Sequence, residues 1–404
     1  PGHCYRLYSS AVFEDFFPQF SVPEILRMPF ESIVLSMKSM GIDQIANFPF
    51  PTPPDRFSLK KAEELLVILG ALDKEQKQIT DLGKKMSLFP LSPRFAKILI
   101  IGNQQECLSY IIAIVSALSV GDPFIGENEL VGNMNDEARR EFRTKFYHSR
   151  ALFSKLDASS NCMMLLSAVC AYDHVPKEEQ NGFLQKHYLR HKMMEEIQKL
   201  RKQVGNIVEN MIMSADGLQL EQKVKLPIPN KKQVSAMKQM IASGFIDQVA
   251  IRGDLISSEV KVANKTSIIN IPYCPVMPIE DGPFVYLHPN SLIAESGQIP
   301  SSYLVYQSLS TKGNISEDET KKVRMNPLVD ISGKQLANIA KNSVLLTYSK
   351  PLGHPYAPKN LTPTKRECYV VPRFGAAIGS GGVGWDLPAI KVIQEKRKGV
   401  WVNL

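Results

Sequence analysis

Residues 30–45, FESIVLSMKSMGIDQI, place Phe30, Ile33, Val34, Met37, Met40 and Ile45 at three- and four-residue intervals, the spacing of one amphipathic helix face. Pro29 stands where a first helical turn accepts proline. Outward from this helix, Asn47 to Asp55 (NFPFPTPPD) carries too much proline for a helix or central strand. Leu59 to Leu69 then resumes the helical period, with Ser58 in N-cap position. Asp73 to Gln78 reads as a turn and Ile79 to Leu82 as a short strand, followed by helices near Gly83 and Phe95. Two helices and a small β-wing outline a winged-helix domain.

The chain of 404 residues is 44% hydrophobic and bears a formal net charge of +8, with a pI near 9.0. That length supports several domains with their own cores, and the charge points to an acidic partner, nucleic acid or an anionic membrane surface. The membrane reading loses ground because no basic amphipathic helix exposes Trp or Phe. The apolar runs Ile98–Ile101 and Tyr110–Val120 fall short of the roughly 20 residues of a spanning helix. Cys4, Cys107, Cys162, Cys170, Cys274 and Cys368 are scattered with no C-x-x-C, the pattern of reduced intracellular thiols. Pro1-Gly-His-Cys-Tyr5 has neither initiator Met nor signal-peptide core, so the chain is expected to start within a longer protein.

Beyond the winged helix, Cys107–Val120 reads as a buried helix, and Leu165–Tyr172 and Leu184–Val208 continue a helical bundle. The last places Leu189, Met193, Ile197, Leu200, Val204 and Val208 on one face. Its other faces carry Lys186, Arg190, Lys192, Lys199, Arg201 and Lys202 against Glu195 and Glu196, an excess that attracts phosphates or is simply a solvated surface. Leu226-Pro-Ile-Pro-Asn230 marks a linker. Past Gly244, Ser267–Ile271, Phe284–Leu287, Tyr303–Leu309 and Ser343–Tyr348 read as strands, for which the oligonucleotide-binding (OB) barrel is one arrangement. Ile315–Thr320 (ISEDET) reads as a mobile acidic insertion. No internal repeat stands out.

Three motifs are decoys. Gly379-Ser-Gly-Gly-Val-Gly384 matches G-x-G-x-x-G, but Trp385-Asp-Leu-Pro388 behind it offers no helix N-terminus for a pyrophosphate; no P-loop occurs either. Asp136-Glu-Ala-Arg139 resembles a helicase metal box, yet lacks the buried strand that would aim it at magnesium, and reads as a helix start. His187 and His191 stand at zinc-binding spacing without a third ligand. No catalytic constellation and no metal or cofactor site is expected in this chain.

Longer runs carry a resemblance. Pro1-Gly-His-Cys-Tyr-Arg-Leu-Tyr8, Val22-Pro-Glu-Ile-Leu-Arg-Met-Pro-Phe30, Leu69-Gly-Ala-Leu72, Ile79-Thr-Asp-Leu-Gly83 and Met86-Ser-Leu-Phe-Pro-Leu-Ser-Pro93 are similar to segments of DEAH-box RNA helicases. Cys107–Phe124 resembles the start of that family's ratchet domain. Ser160-Asn-Cys-Met-Met-Leu-Leu166 stands where the family pattern is Ser-Asp-His-Leu-Thr-Leu-Leu. Tyr286-Leu-His-Pro-Asn-Ser291 and Leu304-Val-Tyr306 resemble its barrel landmarks, and Thr320-Lys-Lys-Val-Arg-Met-Asn326 its drifted Thr-Thr-Lys stretch. Asn47–Pro54 and Val383-Gly-Trp385 with Leu387-Pro388 are similar to a nucleolar branch acting in small-ribosomal-subunit biogenesis.

The resemblance implies a multi-domain α+β chain: residues 1–22 end a second RecA-like domain, 23–102 form a winged helix, 103–225 a helical ratchet bundle, and 226–404 an OB-fold β-barrel with a C-terminal extension. It implies RecA-like motor domains outside this chain that use ATP and Mg. It further implies single-stranded RNA (pre-rRNA and small nucleolar RNA) as substrate, an activating small-subunit processome protein as partner, and a nucleolar location. The RNA-binding candidates are Lys186, Arg190, Lys199 and Lys202 of the bundle and Lys312, Lys321, Lys322 and Arg324 of the barrel. Tyr286 and His288 are expected to order the barrel's own strands. The alternatives are a non-catalytic RNA-binding scaffold and a spliceosomal or cytoplasmic DEAH helicase.

Overall fold

The computed structural model describes residues 2–103, 107–132, 135–216, 225–258, 260, 267–279, 282–295, 299–311, 322–375, 384–397 and 399–403. A short exposed helix, α1 (Ser10–Asp15), precedes the helices α2 (Phe30–Ser39), α3 (Arg56–Ile68) and α4 (Asp81–Ser87). The expected helix over 30–45 stops at Ser39, because Gly41 takes φ 82° and Ile45 enters a separate 3-10 turn. Asp55, not Ser58, caps α3, its carboxylate accepting from Ser58 N at 3.0 Å. The wing is smaller than expected: Leu72 and Ile79 form one bridge, and Thr80 already caps α4 by accepting from Gly83 N. The wing turn is organised by Asp73, whose carboxylate accepts from the backbone N–H groups of Glu75, Gln76 and Gln78 and is thereby held below its ordinary pKa.

α5 (Pro93–Asn103) packs against α2 and α4 at the end of the winged-helix span, and the bundle then comprises α6 (Leu108–Val120), α7 (Glu127–Val131), α8 (Asp136–Phe153), α9 (Asn161–His174), α10 (Gln180–Lys186) and α11 (His191–Asp216). α6 is apolar all round and buried almost throughout, as a central helix must be. Asp136 and Glu137 do lie in a first turn, capped by Asn135. The single helix expected over 184–208 is in fact two. Tyr188 adopts φ 53°, Leu189 N returns to the Leu184 carbonyl at 2.9 Å, and Leu189 pairs with Phe124. Leu189 therefore leaves the α11 stripe, whose buried residues are Met194, Ile197, Val204 and Val208. His187 and His191 consequently lie on different elements. His187 is enclosed by Phe153 and Phe183 with Nδ1 hydrogen-bonded to Ser149 Oγ at 2.8 Å, and no group of three metal-ligating side chains occurs among the described residues.

Leu226–Asn230 leads into α12 (Lys231–Gly244), where Asn230 and Gln233 form a reciprocal cap. The β region holds β1 (Val249–Arg252), β2 (Tyr273–Pro275), β3 (Tyr286–Leu287), a short α13 (Leu292–Glu295), β4 (Tyr303–Thr311), β5 (Val323–Ile331) and α14 (Gly333–Ile339). The sheet order is β2-β1-β4-β5-β3. Tyr273 of β2 also exchanges backbone hydrogen bonds with Val285, next to β3, at 2.8 and 2.7 Å, so the sheet curls back on itself as a small barrel. Ala250, Tyr273, Leu287, Leu304, Tyr306 and Met325 fill its interior. Ser267–Ile271, expected as a strand, is a 3-10 turn over Ile268–Asn270; its isoleucines do not alternate with polar residues, and Pro272 follows.

Two further sheets come from β6 (Leu346–Tyr348), β7 (Lys359–Thr362), β8 (Lys365–Val370), β9 (Pro372–Phe374), β10 (Trp385–Asp386), β11 (Ile390–Arg397) and β12 (Val400–Asn403), ordered β10-β9-β6 and β12-β11-β8-β7. The Gly-rich motif lies outside the described residues up to Val383, and β10, not a helix, follows Gly384. The acidic insertion Ile315–Thr320 also lies outside them. No described helix is long and apolar enough to cross a membrane, and all six cysteines are free thiols.

α12 joins the three parts. Gly244 approaches α5 so closely that a Cβ would stand 2.6 Å from Ile98 Cδ1 and 2.8 Å from the Arg94 carbonyl. Arg94 donates to the Gly244 carbonyl at 3.0 Å and forks onto Asp247 at 2.5 and 2.8 Å. Lys238 pairs with Asp157 of the α8–α9 connection at 2.6 Å and with Asp330 of β5. Ser159 donates to Asp330 at 2.7 Å and Ser301 to its other oxygen at 2.9 Å. Burial pulls the Lys238 pKa down, but its hydrogen bonds to the two carboxylates outweigh this and raise it.

Lys238→Met should cost about 3–5 kcal/mol, since two part-buried carboxylates lose their shared cation; urea unfolding measures it. Lys97, half-buried beside Arg94, is lowered to about 8, chiefly by burial. Above that pH the unfolded chain holds the proton that the folded chain has released, so this group's penalty lessens as pH rises towards its ordinary 10.5. Lys97→Met should therefore raise the Tm more at pH 7 than at pH 10.

Candidate nucleic-acid interface

The bundle meets the barrel at a polar cleft of about 330 Å³. One wall is the C-terminal end of α6 through Gly121 and Asp122 with the first turns of α9; the other is β4, β5 and the turn His288–Ser291. Its construction follows from one proline. Pro327 in β5 has no N–H to give the ladder, and the β4–β5 register slips on either side of Tyr306, its partner. The Pro327 and Leu328 carbonyls accept instead from α9, from Asn161 Nδ2 at 2.8 Å and Ser160 Oγ at 3.1 Å. Asn161 Oδ1 then accepts from Leu292 N at 3.1 Å, while Ser160 Oγ also caps α9 by accepting from Met163 N. Where the family pattern has Asp-His, this chain uses Asn161 as an interdomain staple and Cys162 as wholly buried packing.

The opposite rim is equally organised. His288 N donates to the Met325 carbonyl at 3.0 Å, Ser291 Oγ donates to the His288 carbonyl at 2.7 Å, and His288 Nδ1 accepts from Asn290 N at 3.3 Å. Gln307 reaches across to the Leu118 carbonyl, and Asn326 donates to Ser308 Oγ at 2.9 Å. Asp122 accepts from Phe124 N at 2.9 Å; burial raises its pKa against the opposing pull of that hydrogen bond, Arg150 and Arg190. Among the apolar Leu118, Met164, Leu165 and Leu328, the lining thus sets amides, one hydroxyl, an imidazole and one carboxyl. Such groups match base edges and ribose hydroxyls, whereas phosphates need cations from outside the cleft.

None of the described candidate cations lines this cleft. Lys186 on α10, and Lys199 and Lys202 on α11, are exposed to solvent. Arg190 forks onto both carboxylate oxygens of Glu129 at 2.6 and 2.8 Å. Lys322 donates to Asn270 Oδ1 at 3.1 Å and lies 5.3 Å from the Tyr286 ring centroid. Arg324 clamps the Ile269 and Leu287 carbonyls and lies 5.7 Å from the same ring; burial lowers its pKa. Arg201 is buried against Asp173. Lys312 and Lys321 lie outside the described residues. The polar lining residues Asp122, Gln307 and Asn326 escaped sequence reasoning because no motif or spacing links them to one another.

Residues 62–91 match the family model described as helicase associated domain (HA2), winged-helix; residues 92–165 match its ratchet-like counterpart, and residues 237–344 the oligonucleotide/oligosaccharide-binding (OB)-fold. Winged helix, ratchet and OB fold in this order define a helicase-associated region. The chain is 52% identical to a protein named probable ATP-dependent RNA helicase DHR1 from Saccharomyces cerevisiae, over 99% of this chain and 34% of that protein. It is 42% identical to a putative ATP-dependent RNA helicase of Schizosaccharomyces pombe, over 100% and 33%, and 32% identical to the human probable ATP-dependent RNA helicase DHX37, over 97% and 32%. The chain belongs to the DEAH-box RNA helicase family, and it spans about a third of the length of these curated relatives.

Asn161→Ala removes two contacts between α9 and the barrel and leaves the Pro327 carbonyl and Leu292 N–H without that partner. The expected loss is about 1–3 kcal/mol, read by thermal unfolding. Hydrogen exchange should quicken at Leu292 ahead of residues in α6.

Proposed function

We propose that this chain is the RNA-gripping portion of an ATP-dependent RNA helicase, in which residues 1–22 end a second RecA-like domain and the winged helix, bundle and barrel close over a single RNA strand. The observation that carries this reading is the cleft itself. A bundle and an OB barrel, stapled through Asn161 and Ser160, leave between them a gap lined by groups able to hydrogen-bond bases and ribose. The exposed Lys186, Lys199 and Lys202 would supply phosphate contacts along the bundle. Arg190 and Arg324 are committed to Glu129 and to backbone carbonyls and contribute mainly to the frame.

In the intact protein the motor domains would hold ATP and Mg and supply the energy. Following the resemblance of Asn47–Pro54 and Trp385 with Leu387-Pro388 to the nucleolar branch, the substrate would be a small nucleolar RNA paired with pre-ribosomal RNA during 40S subunit biogenesis and 18S rRNA processing. The site of action would be the nucleolus, with a small-subunit processome protein as activator. Crosslinking of the intact protein to cellular RNA tests this assignment: precursor ribosomal and small nucleolar RNA are expected, and recovery of spliceosomal RNA would overturn it.

Single-stranded RNA titrated across salt tests the grip. Removing one phosphate-binding lysine should reduce the slope of log K against log salt by roughly 0.7 on a single strand. Changing Lys186, Lys199 and Lys202 together to Ala should thus flatten it by about 2, and an unaltered slope would remove these residues from the interface.

A further inference from the structure

A second cleft, of about 690 Å³, opens on the bundle among α8, α9, α10 and the strap Leu226–Pro229. It shares no lining residue with the polar cleft described above. Its walls are apolar, formed chiefly by Phe153, Leu156, Leu166, Ala171, Phe183 and Leu226. Its volume lies in the range of well-formed ligand sites, several hundred Å³. Two large side chains at its mouth face water: Leu152 is 37% exposed and Ile228 is 86% exposed.

The exposure of Ile228 is built in. Pro227 and Pro229 flank it, Leu226 is buried on one side, and the Tyr110 hydroxyl donates to the Pro227 carbonyl at 3.1 Å. Proline fixes φ, so the strap presents Ile228 in one place and little ordering entropy remains to be lost on binding. The chemistry of the lining is one-sided. Lys155 and His174 border the cleft, and among the described residues no Asp or Glu lines it. Exposed Lys225 adjoins its lining residue Leu226 in sequence. His187, the imidazole in the wall, has its pKa lowered by burial and by Lys186, so the interior carries no charge at neutral pH. A nucleic-acid strand would set phosphates over leucine and phenylalanine with no cation in the floor.

We propose that this cleft docks an acidic amphipathic segment of a partner protein, which inserts apolar anchors between Leu152 and Ile228 and sets carboxylates against Lys155 and His174. The mode is a helix in a groove, read through anchors at three- and four-residue spacing. The surface is separate from the RNA cleft, so a partner held there leaves the RNA path open and can act while RNA is bound.

The test is selection of displayed 16-residue random peptides on the full chain, followed by fluorescence anisotropy of the enriched peptides. Enrichment of net-acidic peptides with Leu, Ile or Phe at helical spacing is expected. Ile228→Glu and Lys155→Glu should each weaken their binding by about thirtyfold, the effect of an interface hot spot, while single-stranded RNA affinity stays unchanged. Both positions are solvent-facing, and an unshifted Tm of each variant separates a binding defect from a folding defect. Basic or charge-neutral selections, binding that survives both substitutions, displacement by single-stranded RNA, or no enrichment would each overturn the proposal.

Discussion

One lysine ammonium, Lys238 Nζ, sits between two carboxylates, Asp157 of the bundle and Asp330 of the barrel. Taking three charges out of water is expensive, and the cost is met only where geometry is close and every remaining lone pair has a donor. Ser159 and Ser301 supply those donors. The cluster therefore tolerates little displacement, and it sets the distance between bundle and barrel. The cleft past the Ser160 and Asn161 contacts lies at the same junction of bundle and barrel.

α12 carries the lysine and extends the same logic to the winged helix. Its last turn has a glycine because α5 lies against its backbone, and the Arg94 fork onto Asp247 closes the junction. Three parts of distinct composition are thus coupled through one 14-residue helix. Interfaces of packed side chains and short ion pairs of this kind do not deform smoothly.

The positive charge of the chain divides in two. Arg94, Arg201, Lys238, Arg252 and Arg324 hold carboxylates or carbonyls inside the frame, whereas Lys186, Lys199 and Lys202 remain at the surface. The ion-paired cations of the frame cancel against their carboxylates and add nothing to the excess of +8, and none of the exposed candidates lines the polar cleft. The apolar cleft beneath Ile228 shows the converse, a surface whose few charges are basic but whose floor excludes a polyanion.

Much was legible in the sequence. Helical spacing located α2 and α3, continuous apolar character located α6, the prolines of Leu226–Asn230 marked the lead into α12, and runs such as Met86–Pro93 identified the family, because local propensity and binary pattern act over a few residues. The sequence could not show that Leu184–Val208 breaks at Tyr188, since the left-handed turn is stabilised by the pairing of Leu189 with Phe124, far earlier in the chain. Nor could it tell Arg324 from Lys199 as RNA contacts. A cation's availability depends on which carbonyl or carboxylate the folded chain brings within hydrogen-bonding reach, and that is a property of tertiary packing with no trace in sequence spacing.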